Sequence, residues 1–279
     1  MRKTFKELWF GYGGHLARLK LELIYAWRHK RFANLAKPTR FTEMVQVRKL
    51  TDRDPRFPKQ GDKVVVKKWV SSLIGKEMVT PTLWEGQVLM TAFPWTPPYI
   101  IKSRHGAGRV IVVHSLDQDW AAIKRETQKW VKEDYGALLG EWGYSQIPRG
   151  IIVEPFICKG PDLPIDYKFY VFSGKVRFIQ IHLDRATQHR WLLFERGWRQ
   201  VSAIKEDAPV GAPTCLERMI EVAEILGGEH EFVRVDLYDI EGKPRFGEMT
   251  FYPGSGFDPF YPDSLDRQIG EFWHTHNTA

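Results

Sequence analysis

The chain has 279 residues, 43% of them hydrophobic and 27% charged, with 41 Lys and Arg against 34 Asp and Glu for a net charge of +7. This composition suits one large globular domain or two ordinary ones and excludes a disordered or collagen-like chain. The positive excess is spread along the chain and suits an anionic ligand or surface as well as an ordinary soluble protein.

Two cysteines, Cys158 and Cys215, are too few for a disulfide framework or a four-thiolate zinc site; two isolated thiols in a reducing compartment are expected. No run of 18 apolar residues occurs, so no spanning helix is expected, and Met1 to Phe10 lacks the apolar core of a signal peptide. The expectation is a cytoplasmic chain, with contact at the inner face of the membrane as the alternative. Eleven Trp residues fit carbohydrate stacking as well as core packing.

In chain order, residues 15–35 read as a helix, since Leu16, Leu19, Leu23 and Trp27 recur at three and four residues. Its basic residues point to a solvated face on a helix packed against its own domain; an anionic membrane or a partner helix are the alternatives. Pro38, Pro55 and Pro58 punctuate the helices and loops of residues 1–60. Val64, Val65 and Val66 favour a strand, but Trp69, Val70 and Leu73 have helical spacing, and a helix is the reading for 61–75. Residues 80–98 give a strand and a connecting loop. Strands follow at 99–102 and 109–114, around a glycine-containing loop at 103–108. A helix spans 119–135, with Ile123, Trp130 and Val131 on its apolar face, and a strand covers 151–154. Residues 167–172 and 176–182 form a hairpin about Ser173-Gly174, and a helix occupies 214–226. A second hairpin pairs 232–240 with 244–250 about Glu241-Gly242, and a short helix at 266–273 closes the pattern. This is an α+β plan with antiparallel hairpins, not a doubly wound nucleotide fold.

Charges at strand ends carry the chemistry. Lys102 closes a strand before Gly106 and Gly108, whose flexibility lets backbone N–H groups approach phosphoryl oxygens; a surface lysine before a turn is the alternative. Glu154 ends an apolar strand ahead of Pro155, Phe156 and Ile157, a hinge suited to a purine edge or simply a strand end. Asp236 and Glu248 interrupt apolar strands that adjoin in the second hairpin. Buried carboxylates require a cation or a hydrogen-bond network, and strand-borne oxygen ligands suit magnesium completed by phosphates. Arg234 shares a strand face with Asp236, so an internal Arg–carboxylate cluster is the other reading. No helix-turn-helix, zinc-finger or RNA-binding strand motif appears, and no nucleic-acid partner is expected.

These stretches resemble the ATP-grasp superfamily, and more closely its teichuronopeptide-biosynthesis-like branch from bacterial surface-polysaccharide loci. The resemblance rests on residues 37–43, Gly61-Asp62-Lys63, Ile101-Lys102 with His105-Gly106-Ala107-Gly108, residues 166–172, and residues 232–238 leading to 246–257, and it covers roughly 35–273. It implies two α+β subdomains clasping ATP. They divide as a helical N-terminal region 1–60, an N-terminal α/β portion 61–98, a lid subdomain 99–153, a C-terminal subdomain 154–273 bearing the metal, and a tail 274–279. It further implies that Lys63 and Lys102 contact phosphates, that 105–108 is the loop over them, and that Glu154 to Ile157 is the adenine hinge. Asp166 and Lys168 would lie near ribose and phosphate, with Arg185 ending the next strand. Arg234 would serve the reacting phosphate, and Asp236 and Glu248 would hold Mg2+. Many ATP-grasp ligases have Asn two residues beyond the metal glutamate; Thr250 stands here, a weaker ligand than an amide carbonyl.

The activity implied is ATP-dependent joining of a carboxylate to an amine through an acylphosphate, with Lys102, Arg185 and Arg234 as catalytic groups. The partners would be a carboxylate-bearing glycan or small molecule, such as a uronic acid, and an amine such as an amino acid. An ATP-dependent sugar or glycan kinase, using Asp184 or Asp166 as base, and a non-catalytic nucleotide- or glycan-binding protein are the alternatives. Trp142, Tyr144, His182, Arg190, Trp191 and Trp198 are candidates for the acceptor site, against the alternative that they pack the domain.

Overall fold

Two antiparallel sheets organise the chain, with helices before, between and after their strands. The computed structural model describes residues 15–91, 95–158, 163–183, 190–202 and 210–274. In chain order come α1 (His15–His29), α2 (Phe41–Thr51), α3 (Arg56–Gly61) and α4 (Val65–Ile74). The smaller sheet holds β1 (Trp84–Gly86), β2 (Tyr99–Ser103), β3 (Val110–Val113) and, after helices α5 (Trp120–Lys132), α6 (Tyr135–Leu139) and α7 (Trp142–Ser145), β4 (Ile151–Pro155). Its order is β1-β4-β2-β3. The larger sheet takes β5 (Asp166–Phe172), β6 (Lys175–Leu183), β7 (Arg190–Glu195), β8 (Phe232–Ile240) and β9 (Lys243–Thr250), with α8 (Leu216–Gly227) inserted and α9 (Ser264–His274) following. Its order is β7-β6-β5-β8-β9.

Period-two alternation fixes which way each sheet faces. In the smaller sheet Tyr99, Ile101, Ile151 and Val153 pack with Ile123 and Trp130 of α5 in one core. Ile100, Lys102, Ile152 and Glu154 alternate with them, so the charged pair emerges on the opposite face. In the larger sheet Phe169, Val171, Val233, Val235 and Leu237 join Met219, Val222 and Leu226 of α8. Gly227 allows this close packing, because a Cβ there would lie 2.5 Å from Val171 Cγ1.

The other face of β5 and β8 changes character along its length. At one end Tyr170, Phe172 and Phe232 are aromatic and are sealed by Phe41 of α2 and Trp273 of α9, with Phe41 and Phe232 centroids 4.9 Å apart. At the other end the same face carries Asp166, Lys168, Arg234 and Asp236. The core therefore ends, and the site begins, where aromatic side chains give way to charges on one continuous face.

A bulge sharpens this division. Asp236 pairs with Glu248 and Leu237 with Phe246, leaving Gly247 as the extra residue. Phe246 follows Leu237 into the core while Glu248 stays opposite Asp236. Without the bulge, residues two apart on one strand would share a face. Both hairpin turns match the sequence expectation. Ser173-Gly174 has φ of 46° and 74°, and Glu241-Gly242 has 54° and 78°, the left-handed pair that a tight hairpin turn needs.

Several expectations change, among them the end of the first helix, which stops at His29 and not at residue 35. The strand Arg190–Glu195 has no counterpart in the sequence reading. Helix α1 packs by Ala17, Lys20, Leu21, Tyr25 and His29, whereas Leu19, Leu23 and Trp27 are exposed. The leucine spacing marks an outward face, because hydrogen bonds select the inward one: Tyr25 Oη lies 2.9 Å from Thr42 Oγ1, and His29 Nε2 lies 3.2 Å from the Gly256 carbonyl. Arg28 and Arg31, expected to be solvated, pair with Asp258 and Asp263.

Candidate active site

The charged faces of the two sheets meet across a trough of about 510 Å3. From the smaller sheet, Lys102 Nζ donates to Glu154 Oε2 at 2.7 Å, and Lys67 of α4 donates to Glu154 Oε1 and, at 2.7 Å, to Thr82 Oγ1. Burial alone would raise the Glu154 pKa, but Lys102 and Lys67 outweigh it and hold the carboxyl below its usual range. Burial lowers the Lys67 pKa despite that partner. The outcome is two ammonium groups side by side at the trough wall on one buried carboxylate. The sequence reading missed Lys67, which sits in a helix beside Lys68 with nothing local to distinguish the two.

The loop after β2 is fastened at several points. Arg104 makes a bidentate contact with Asp62, Nε to Oδ1 at 2.9 Å and Nη2 to Oδ2 at 2.7 Å. Lys63 Nζ donates to the Gly106 carbonyl at 2.7 Å and stands 3.7 Å from Glu248. His105 is buried, its Nδ1 accepting from Gly150 N–H at 3.4 Å, and burial lowers its pKa. It therefore anchors the loop from beneath. Gly108 has φ of 69°, and a Cβ there would meet no atom within 4 Å. It forms the free tip beside Ala107 over the trough.

From the larger sheet, Lys168 donates to Asp166 and, at 2.6 Å, to Asp236 Oδ2. Arg234 Nε donates to Asp236 Oδ1 at 2.7 Å and Arg234 Nη2 to Oδ2 at 2.7 Å. Burial would raise the Asp236 pKa, but Arg234 and then Lys168 reverse it and the carboxyl stays ionised. Arg234 Nη2 also donates to Thr250 Oγ1 at 3.0 Å, and Thr250 Oγ1 donates to Glu248 Oε1 at 3.3 Å. Glu248 is the more open carboxylate, with 30% of its side chain exposed against 1% for Asp236.

Glu248 and Thr250 leave oxygens that could hold a hard divalent cation arriving with phosphates, whereas both oxygens of Asp236 already accept from Arg234 and Lys168 and would have to be shared. Glu248 offers an open carboxylate, Asp236 lies opposite it, and Thr250 sits between Glu248 and Arg234. Among the described residues no group of three or more His, Cys, Asp or Glu side chains is placed to hold a metal unaided, so phosphate oxygens and water must complete any magnesium shell.

Of the expected hinge, Pro155 and Ile157 line a narrow slot with Ile100 and Phe246 at the Glu154 end of the trough. The Phe156 N–H donates to the Pro98 carbonyl at 3.4 Å, and its ring faces His114. Arg185 and Asp184 lie outside the described residues, as does the side chain of Arg190. Two further cavities open from the trough. One, of about 400 Å3, is lined by Tyr144; the other, of about 270 Å3, by His182 and Trp191. Trp198 stacks on Phe194 at 4.4 Å and Trp142 lies under Arg53, so both serve packing.

A charged trough between two antiparallel sheets, with a glycine loop at its rim, is the architecture of a nucleotide clasp. The chain belongs to the TupA-like ATP-grasp family, whose profile matches residues 43–274, and its α+β fold is the ATP-grasp fold. No protein of curated function matches it by sequence. Among solved structures, D-alanine–D-alanine ligase from Bacillus anthracis complexed with ATP is similar at 15% identity and a TM-score of 0.42, over 69% of this chain and 54% of that one. VanG D-Ala:D-Ser ligase from Enterococcus faecalis is similar at 15% identity and a TM-score of 0.43, over 77% and 60%. The ATP-grasp ligase PsnB complexed with a minimal precursor is similar at 11% identity and a TM-score of 0.42, over 78% and 61%. The chain thus spans little more than half the length of these structures. Among the described residues no helix is long and apolar enough to cross a membrane.

Proposed function

We propose that this protein is an ATP-dependent carboxylate–amine ligase that works through an acylphosphate. The carboxylate would be a uronic acid or similar group of a bacterial surface polysaccharide or its precursor, and the amine an amino acid or related compound. The observation that carries the reading is a junction: the trough and both further cavities share Arg234, Gly254 and Asp258. A ligase must bring three reactants, a phosphoryl donor, a carboxylate and an amine, to one point, and three compartments converge at Arg234.

In the first step a carboxylate oxygen attacks the γ-phosphorus, the bond to the bridging oxygen breaks, and ADP departs. In the second, the amine nitrogen attacks the acyl carbon, the carbon–oxygen bond to phosphate breaks, phosphate leaves and the amine loses a proton. Lys63, Lys67 and Lys102 would bind and orient the phosphates, and Arg234 would face the phosphoryl group in transfer. The His105–Ala107 segment would exclude water from the mixed anhydride. Magnesium, when bound, would be held by Glu248 and Asp236 beside Thr250 and would neutralise phosphate charge.

The test supplies ATP, magnesium and hydroxylamine with a panel of uronates and uronate glycans. A hydroxamate formed together with ADP is expected for the right carboxylate. A stable phosphorylated alcohol with no hydroxamate would replace the ligase with a kinase. Repeating the screen with amino acids and resolving products by mass should give a glycan heavier by one amino acid less one water.

A further inference from the structure

The cavity of about 400 Å3 beyond Glu248 has features that neither a phosphate nor a neutral sugar requires. Glu141 lines it from the turn between α6 and α7 and is only 3% exposed. Its Oε2 is buried with no hydrogen-bond partner. Lys49 stands near it, but that ammonium gives its hydrogen bonds to the Ser255 carbonyl at 2.8 Å and the Ser255 hydroxyl at 3.0 Å. A buried carboxylate oxygen without a partner is costly, and burial pushes the Glu141 carboxyl up to about 7 against the attraction of Lys49 and Ser255, so a cation arriving beside it favours the ionised form.

Three tyrosines line the same cavity. The Tyr144 ring lies 6.0 Å from Tyr135 and 5.4 Å from Tyr252. The Tyr252 hydroxyl accepts from the Gly143 N–H at 3.2 Å, which fixes that ring. Gly61 leaves room for Tyr144, since a Cβ there would lie 3.0 Å from its Cε1. Aromatic side chains and a carboxylate oxygen without a hydrogen-bond partner are together the surroundings an ammonium group selects, through cation–π attraction and a charge-assisted hydrogen bond. Arg28, Lys63 and Arg234 also line the cavity, but each already faces a carboxylate there, Arg28 Asp258 and the other two Glu248, whereas Glu141 Oε2 has no hydrogen bond.

We propose that this cavity is the amine site, and that it takes a small compound bearing a primary ammonium group, held by Glu141 and the rings of Tyr135, Tyr144 and Tyr252. The assignment of that compound as co-substrate rests on the ligase reading; the ammonium selectivity does not. The cavity shares Glu248 and Arg234 with the trough, so its occupant lies next to the point where the acyl group would be activated. The cavity lined by His182, Gln180 and Trp191 is left for the carboxylate partner.

The test uses the whole chain and ligand-observed NMR with two probes of equal size, n-butylammonium and 1-butanol. Butylammonium should bind the wild type more tightly than butanol does. Glu141→Gln should weaken butylammonium about tenfold, the loss of one charge-assisted hydrogen bond, and leave butanol unchanged. Tyr144→Leu, which keeps every charge, should also weaken butylammonium alone, and it carries the test if circular dichroism shows that Glu141→Gln has lost its fold. Equal binding of the two probes to wild type, or equal butylammonium affinity in wild type and a folded variant, would overturn the assignment. The hydroxamate assay on wild type separates the two claims. Hydroxamate without ammonium selectivity removes the pocket and keeps the ligase; ammonium selectivity without hydroxamate for any carboxylate does the reverse.

Discussion

Glu154 between Lys67 and Lys102 makes the two lysines interdependent, and substitutions there should separate phosphate binding from folding. Lys67→Ala removes one point charge from the trough and leaves Glu154 paired to Lys102. It should raise the KM for ATP about tenfold with little change in melting temperature, since a single charged contact to phosphate has that magnitude. An unchanged KM would reduce Lys67 to a structural partner of Glu154. The two expected metal carboxylates should also part company. Asp236→Asn leaves the buried Arg234 and Lys168 without their shared anion and should cost about 3–5 kcal/mol of stability as well as turnover. Glu248→Gln, at a partly exposed position with no basic partner closer than 3.6 Å, should cost less than about 0.5 kcal/mol yet still abolish turnover. Urea unfolding and ADP release on the same preparations check both, and equal stability losses would contradict the geometry. These carboxylates were legible in the sequence because charges interrupting apolar strands are conspicuous against a period of two. Lys67 was not, because a lysine on a helix resembles any solvated lysine until the tertiary fold brings Glu154 beneath it. Glu141 was hidden for the same reason.

Among the elements, those with local instructions were readable. Both hairpins announce themselves through turn residues suited to positive φ, and α5, α8 and α9 through apolar spacing. What local pattern does not contain is the partner. Helix α2 buries Glu43, Gln46, Arg48 and Lys49 because their polar atoms find backbone groups elsewhere, as when Arg48 Nη1 donates to the Phe232 carbonyl at 2.9 Å and Gln46 Nε2 to the Ser255 carbonyl at 2.9 Å. Helix α1 likewise turns Leu19 and Leu23 outward and places His29 and Tyr25 inward. That placement predicts a pH dependence. Burial lowers the pKa of His29 to about 4, with Arg31 and Arg28 adding to the effect against Gly256 and Asp263, and burial also lowers His230 to about 4, with Arg56 and Arg48 adding. Both are neutral in the folded chain, so the stability they represent is present above their ordinary value and is lost as pH falls towards 4. Each should contribute a loss of about 2 kcal/mol between pH 7 and pH 5. His29→Gln keeps a donor for the Gly256 carbonyl and cannot titrate. Urea unfolding should show its pH dependence reduced by roughly half that total, with His230 supplying the rest; a slope identical to wild type would mean that His29 is already charged in the fold.

At the scale of the whole molecule, the trough draws its walls from both sheets: Lys102 and Glu154 from one, Lys168, Asp236 and Glu248 from the other. Few side chains bridge them directly there, Lys63 with its contacts to Gly106 and Glu248 being one. A nucleotide seated in the trough would touch both halves and so should stabilise the fold as a unit, by about 2.7 kcal/mol at one hundred times its dissociation constant. For a chain of this size that corresponds to a rise of roughly 5 °C in melting temperature. The phosphates supply most of the expected contact, since Lys63, Lys67, Lys102, Lys168 and Arg234 all line the trough, while the slot between Ile100 and Phe246 is narrow. ATP with magnesium should therefore raise the melting temperature well above what AMP achieves at the same concentration, and chelating the magnesium should remove part of the gain. Thermal scans with ATP, ADP and AMP, each with and without a chelator, measure this directly. Equal shifts for AMP and ATP would move the binding energy to the adenine end, and no shift with millimolar ATP would mean that the trough does not receive a nucleotide.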